Sequence, residues 1–373
     1  MLGSWVAVYQ LADDDQQSAL IGYGVYNPKS EIAVRIVRFG DQCPDQEYWD
    51  NLILRAVELR RVTLGLDNQT TAYRVLHAEA DGVPGIVVDR YNECLSAEVF
   101  SLAMLPRCSD LLVSLGSLLG TKEWLIQPSP HLLSQEGGDF RSSSSPGLPS
   151  QVTITEHQTK YRVHFGTGHK TGFFCDQREN RWRLTEFTRG KSVLDLCCYT
   201  GGFSVMAATR GEASEVIGVD LDAAPLELAR QNANLNQVRV KFTQADAFAY
   251  MRDMLRGGRF FDVVVLDPPK LIRNRGEIEE GTRKHFDLNR LAMQLVKPGG
   301  ILLTCTCAGL LAGDEFARLV SSAARAAFRP SDWNPTPEAR SPQILWQSGA
   351  AACHPVSVAC PESEYLRAVC MRL

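Results

Sequence analysis

The chain has 373 residues, enough for two or three domains, with 45% hydrophobic and 22% charged residues and a net charge of −4. That balance is ordinary for a globular protein and excludes wholesale disorder, collagen and coiled coil. No apolar run reaches the roughly 18 residues that span a bilayer, and Met1-Leu2-Gly3-Ser4-Trp5 lacks the basic start and apolar core of a signal peptide, so a soluble cytoplasmic protein is expected.

Residues 4–38 read as short strands at 5–9, 19–26 and 31–37, with turns at Asp13-Asp14-Asp15 and Asn27-Pro28. The stretch is short for an independent core and reads as part of a small β-barrel. Residues 45–64 have helical spacing, with Asp45 as the cap. Strands return at 73–77, 85–89 and 95–100, with a turn at Asp81-Gly82-Val83-Pro84-Gly85. A second helix is expected over 111–119. Residues 135–150 hold Gly137-Gly138, four consecutive serines and two prolines, the composition of a flexible loop or linker.

From Lys191 the rhythm becomes strand–helix alternation. Strands are expected at 192–196, 215–220, 240–242, 261–266 and 301–305, and helices at 203–209, 224–234, 247–255 and 289–296. This pattern predicts an α/β fold with a doubly wound, mostly parallel sheet. Charge follows the same division. Residues 1–165 carry 13 Lys/Arg and 20 Asp/Glu, whereas residues 166–373 carry 26 and 23. A polyanion would meet the second half more naturally. The eleven cysteines are an odd number without a repeated CxxC pair, which argues against a disulfide framework or zinc ribbon. No metal site is expected.

In doubly wound folds, ligands bind beyond the carboxyl ends of the strands. Asp195, Asp220 and Asp246 are expected to end three successive strands, and Cys197-Cys198-Tyr199-Thr200-Gly201-Gly202-Phe203 forms the turn after the first. Two glycines let backbone approach a ligand. Asp220 suits the hydroxyls of a ribose and Asp246 the amino group of an adenine. The adjacent glycines do not fit the dinucleotide spacing G-x-G-x-x-G. A nucleoside without a pyrophosphate, S-adenosylmethionine, fits better than NAD.

The fourth strand ends in Asp267-Pro268-Pro269-Lys270, a rigid run able to hold the polar edge of a base. The fifth ends in Thr304-Cys305-Thr306-Cys307-Ala308-Gly309. Cys305 reads as a small core residue and Cys307, at the strand end, as a candidate nucleophile. A thiolate added to carbon 6 of a pyrimidine makes carbon 5 nucleophilic enough to accept a methyl group. Before the fold, Gly168-His169-Lys170-Thr171-Gly172-Phe173-Phe174-Cys175-Asp176-Gln177-Arg178 combines basic, aromatic and polar residues. It is either ordinary core or a lid over a cofactor, with Arg178 reaching acid groups.

Taken together, His169 to Phe174, Asp176-Gln177-Arg178, Tyr199 to Phe203, Asp267 to Lys270 and Thr306-Cys307 resemble the bacterial ribosomal large subunit RNA (cytosine-C5)-methyltransferase I family. Asp81 to Gly85, His354-Pro355-Val356, Pro361-Glu362 and Tyr365-Leu366 extend the resemblance over nearly the whole chain. It implies a partial PUA-like RNA-binding domain over 1–42, a central α/β domain over 43–165 and a Rossmann-like class I methyltransferase over 166–373. It implies S-adenosylmethionine as cofactor and a cytosine of 23S ribosomal RNA as substrate. By the same resemblance Cys307 is the nucleophile and Asp267 the base-orienting carboxylate, with Pro268, Pro269 and Lys270 on the substrate side. Phe173, Asp176, Gln177, Arg178, Tyr199, Gly201, Asp220 and Asp246 match cofactor-side positions, beside Asp195. A homodimer is left open.

Two departures bear on these expectations. Family members usually begin with a basic stretch running into a His-Pro-Trp-Val-Phe-like segment. This chain starts after it, so its PUA-like module is expected to lack an edge. The family often has Ser-Cys-Ser where this chain has Thr306-Cys307-Ala308. Methylation of guanine N2 or adenine N6 remains an alternative, although Lys270 stands where those enzymes typically place a stacking aromatic. An RNA-binding protein with a vestigial methyltransferase fold is the alternative from another class.

Overall fold

The computed structural model describes residues 3–11, 18–137, 140–166, 172–311, 313–329 and 340–373. The Asp13-Asp14-Asp15 turn, Gly138 and Gly168-His169-Lys170-Thr171 lie outside the described residues. The chain divides into two compact units. One comprises Met1–Glu156, Val163–Cys175 and Ala352–Ser363; the other comprises His157–Arg162, Asp176–Ala351 and Glu364–Leu373. No described helix is long and apolar enough to cross a membrane.

In the first unit, β1 (Ser4–Gln10), β2 (Ala19–Tyr26) and β3 (Val34–Phe39) form an antiparallel sheet in that order. The helix α1 (Gln46–Glu58) begins where Asp45 Oδ1 accepts the Tyr48 N–H at 2.9 Å, as its cap residue predicts. A second sheet holds β4 (Ala72–His77), β5 (Ile86–Tyr91) and β6 (Cys94–Val99). The helix α2 (Leu105–Leu119) crosses from β6 to a parallel neighbour, β7 (Glu123–Pro128). It starts six residues before the expected position, because Pro106 fits a first helical turn, where a missing N–H costs nothing.

The described residues of the stretch 135–150 are mostly exposed and irregular, as a surface loop is, but the stretch is tied down at two points. After α3 (Pro130–Glu136), Glu136 is buried and accepts from the Asn27 side chain at 2.5 Å and the Leu102 N–H at 3.0 Å. A short strand, β8 (Ser143–Ser144), then pairs with Ile126 and Leu125. After β9 (Gln151–Glu156), His157 and Gln158 turn the chain at positive φ into β10 (Thr159–His164).

The second unit contains the alternation read from the sequence. It runs α4 (Arg178–Leu184), β11 (Ser192–Leu196), α5 (Gly202–Thr209), β12 (Glu215–Asp220), α6 (Ala223–Leu235), β13 (Lys241–Gln244) and α7 (Ala247–Arg256). It continues through β14 (Phe261–Leu266), α8 (Ile278–Gln294), β15 (Val296–Thr306), α9 (Gly313–Ala327), β16 (Gln343–Ser348) and β17 (Arg367–Arg372). The sheet order is β13-β12-β11-β14-β15-β17-β16; the first five strands are parallel, and β17 runs antiparallel to both of its neighbours, β15 and β16. The chain winds outward from β11 to β13 and returns on the other side at β14. The crevice at this reversal is where such sheets bind ligands.

Both faces of this sheet are covered. Leu194, Leu196, Val264, Leu266 and Leu302 face a core that includes Leu291, Phe316 and Val320. Val193, Val263, Val265, Leu303 and Cys305 face a second core with Phe203, Ala207 and Leu366. Full burial on both sides explains why β11 and β14 read as continuous apolar runs.

Candidate active site

The turn after β11 is tightly wound. Cys197, Tyr199 and Gly201 all have positive φ, at 61°, 50° and 77°. Three elements hold it in place. Asp220 Oδ2 accepts the Tyr199 N–H at 2.8 Å; Asn232 on α6 donates to the Thr200 carbonyl at 3.0 Å; Tyr161 on β10 donates to the Gly202 carbonyl at 3.0 Å. A Cβ on Gly201 would stand 3.1 Å from Phe242 Cζ and 3.2 Å from Ala229 Cβ. Sequence pattern alone did not single out Asn232 or Tyr161. The available signal for Asn232 was a polar residue inside the apolar stripe of a helix.

Asp195 is buried at the end of β11. Its Oδ2 accepts the Ser204 N–H at 2.9 Å and the Ser204 hydroxyl at 2.6 Å. Its Oδ1 is buried with no hydrogen-bond partner among the described residues. Burial pushes its carboxyl up to about 7, against the pull of the Ser204 hydrogen bonds. Asp220 is half-buried and also accepts the Asp222 N–H, through Oδ1, at 3.0 Å. Asp246 lies two residues beyond β13 rather than on its end. It is exposed and caps α7 by accepting the Ala249 N–H at 2.9 Å.

These acids converge. The Cys197 thiol is pushed up by burial and then by the charges of Asp220, Asp267, Asp195 and Asp246. Four carboxylates around one turn suit a cationic ligand and repel a pyrophosphate. S-adenosylmethionine carries a sulfonium and an ammonium. The orphan Asp195 oxygen, the close-packed Gly201 and the acidic surroundings therefore fit that cofactor.

The second cluster lies around Asp267, half-buried just past β14. Pro268 is buried behind it, while Pro269 and Lys270 are exposed. Gln177 Nε2 donates to Asp267 Oδ2 at 3.0 Å. Gln177 Oε1 accepts from Asn180 Nδ2 at 2.7 Å, and Asn180 Oδ1 accepts from the Ser348 hydroxyl at 2.6 Å. Asp176 is buried, with Oδ2 accepting from the Tyr365 hydroxyl at 2.5 Å and its carbonyl accepting the Ala351 N–H at 2.7 Å. Arg178 is fully buried and pairs with Glu179 at 2.8 Å. Phe173 is buried in the first unit, where its backbone exchanges hydrogen bonds with the Tyr91 hydroxyl at 3.0 and 3.1 Å.

Cys305 lies in β15 and Cys307 one residue beyond its end. Both pack on the same core, but Cys305 is fully buried and Cys307 only half-buried. Burial, the Asp267 charge and further acids hold the Cys305 thiol well above its ordinary range, so it stays protonated. On the opposite face, Thr306 Oγ1 accepts the Ala308 N–H at 3.2 Å and lies 3.1 Å from His285 Nε2. That contact shapes the backbone on either side of Cys307. Pairing of Leu266 with Thr304 brings the ends of β14 and β15 side by side.

Known proteins place this arrangement. A family model described as S-adenosylmethionine-dependent methyltransferase matches residues 110–331. A solved methyltransferase candidate from Streptococcus mutans superposes with TM-score 0.80 at 19% identity, covering 100% of this chain and 92% of its own. A second, solved in complex with SAH, gives 0.82 at 20% identity with the same coverage. Fold, acidic strand ends and family model thus define an S-adenosylmethionine-dependent methyltransferase. The ribosomal RNA large subunit methyltransferase I of Shewanella frigidimarina is 36% identical over 369 residues, 95% of this chain and 87% of the relative. That of Photobacterium profundum is 34% identical over 371 residues, 98% and 89% of the two chains. The chain belongs to the ribosomal RNA large subunit methyltransferase I family.

Proposed function

We propose that this protein methylates carbon 5 of a cytosine in large-subunit ribosomal RNA through a covalent bond between Cys307 and carbon 6 of the base. The observation that carries the reading is the contrast at the end of β15. Cys307 is accessible there, at the strand neighbouring the Asp267 turn, while Cys305 is sealed in the core. Bound S-adenosylmethionine supplies an electrophilic methyl carbon. Asp195, Tyr199, Gly201, Asp220 and Asp246 are the residues assigned to hold it, and the family resemblance adds Asp176, Gln177 and Arg178.

The target base must leave its helical stack, because carbon 6 is hidden in a stacked strand. Asp267, stiffened by Pro268 and Pro269, holds its polar edge. The Cys307 thiolate adds to carbon 6, and the ring electrons move to carbon 5, which takes the methyl group. Loss of the carbon-5 proton to a base then restores the double bond and expels the thiolate, so the cysteine is regenerated. The relatives' names support ribosomal RNA as substrate. The experiment is methyl transfer to an unmodified 23S transcript with the product nucleoside identified by mass. Cys307→Ala should abolish 5-methylcytidine formation while leaving cofactor affinity within about twofold, because it removes a chemical step and no cofactor contact. Cys305→Ala should retain activity. Full activity in Cys307→Ala, or a methylated purine as product, would reject the reading.

A further inference from the structure

We propose that Asn180, oriented by the Gly349 carbonyl, sets the polarity of a side-chain relay through Gln177 that keeps Asp267 a hydrogen-bond acceptor toward the base, and so selects the amino edge of cytosine over the carbonyl edge of uracil. This rests on the cytosine reading above. The nitrogen and oxygen of an amide side chain are told apart by their partners. A backbone carbonyl only accepts. Gly349 O accepts from Asn180 at 3.3 Å, which identifies that end of the amide as Nδ2. The Ser348 hydroxyl donates to the other end, Oδ1, at 2.6 Å.

The polarity then passes along the chain. Asn180 Nδ2 also faces Gln177 at 2.7 Å, so the facing atom of Gln177 must be its acceptor, Oε1. Gln177 consequently turns Nε2 toward Asp267 Oδ2, at 3.0 Å. Asn180 is 1% exposed and Gln177 3% exposed, so water does not screen a reversed amide. An amide N–H directed at Asp267 requires an acceptor there. A carboxylate accepts at about four positions, and Gln177 takes one of them.

The consequence falls on the base. Cytosine presents an amino donor at carbon 4, and uracil presents a carbonyl oxygen. Against an acceptor, cytosine forms a hydrogen bond, whereas uracil sets lone pairs against lone pairs. Reversing the relay would turn Gln177 Oε1 toward Asp267, lone pairs against lone pairs, so the carboxylate loses the N–H that orients it and its firm hold on the cytosine amino group, which erodes the preference for cytosine. Asn180 is therefore a positioning residue. It acts on the base only through Gln177 and Asp267.

The test uses the full-length protein and two 23S transcripts, one unmodified and one with uridine at the position methylated by wild type. Asn180→Asp is nearly isosteric but cannot donate, so it forces Gln177 to reverse. It should lower kcat on the cytidine transcript at least 10-fold, hold KM for S-adenosylmethionine within twofold, and narrow the cytidine-to-uridine ratio at least 10-fold. Because the effect passes through Gln177, Asn180→Asp combined with Gln177→Leu should be no slower than Gln177→Leu alone. Wild-type kcat and ratio in Asn180→Asp, or independent multiplication of the two losses, would overturn the relay. If Asn180→Asp does not fold by circular dichroism, Gln177→Glu sets an acceptor against Asp267 directly, and wild-type values there would overturn the relay equally. A product other than 5-methylcytidine would remove the base-selection half along with the proposed function, while kcat and non-additivity still decide whether Asn180 acts through Gln177.

Discussion

Asp195 and His285 are both about 1% exposed in the second unit and respond to pH in opposite senses. Burial pushes Asp195 up to about 7, so its contribution to stability is full below about 4 and is lost as pH rises through 7. Burial pushes His285 down to about 4, so its contribution is full above about 6.5 and is lost as pH falls toward 4. Each is on the order of 3–4 kcal/mol over its window, and the two offset. We predict that Asp195→Asn makes the protein lose stability more steeply than wild type from pH 6.5 to 4.5, and that His285→Gln makes it lose stability more steeply as pH rises over the same interval. Thermal melts across that range check this; parallel curves for all three proteins would contradict it. A cationic ligand should also draw Asp195 into its charged form. At pH 6, S-adenosylmethionine binding should release up to about one proton, seen by calorimetry in buffers of different ionisation enthalpy. Asp195→Asn should remove that release.

The decisive element is the turn between β11 and α5. Gly201 is left-handed and crowded by Phe242 and Ala229, whereas a Cβ on Gly202 would meet only the flexible Arg181 side chain at 3.3 Å. Gly201→Ala should cost about 1–2 kcal/mol of backbone strain and weaken S-adenosylmethionine at least 10-fold. Gly202→Ala should do less to both. Titration calorimetry beside a thermal melt separates the two effects, and unchanged affinity in a folded Gly201→Ala would remove this turn from the cofactor site. This turn was legible in the sequence because everything it needs is local: an apolar run ending in Asp, then paired glycines. Other elements were not. The first half of α8 is charged and hides its apolar face, so only its end was expected. The antiparallel pair β16 and β17 depends on pairing with β15 from far along the chain. The relay joins Asn180 to Ser348 across 168 residues, which no local period reveals.

Charge is divided unevenly over the whole molecule, with the excess of positive residues in the second half. Lys270, Arg273, Arg275 and Arg283 are exposed and make no ion pair among the described residues, whereas Lys284 pairs with Glu280. The segment carrying them is ordered: Ile272 is buried, and Asn274 Oδ1 accepts the Gly276 N–H at 2.9 Å. Exposed cations held on an ordered segment are suited to RNA phosphates. Replacing each with Gln should lower the salt slope of RNA binding by about 0.7–0.9 per lost contact and leave S-adenosylmethionine affinity unchanged. An unchanged slope in the fourfold variant would place RNA docking elsewhere.

The central claim, a covalent bond from Cys307 to the base, has a direct measurement. A fluorine at carbon 5 cannot leave as a proton does, so the last step of the proposed sequence stalls after methyl transfer. Wild-type protein incubated with S-adenosylmethionine and a 23S transcript containing 5-fluorocytidine should form a denaturation-resistant protein–RNA adduct. Peptide mass mapping should place it on Cys307, and the adduct should be absent from Cys307→Ala. An adduct mapped to Cys305, or no adduct from an enzyme that methylates the unfluorinated transcript, would contradict the account.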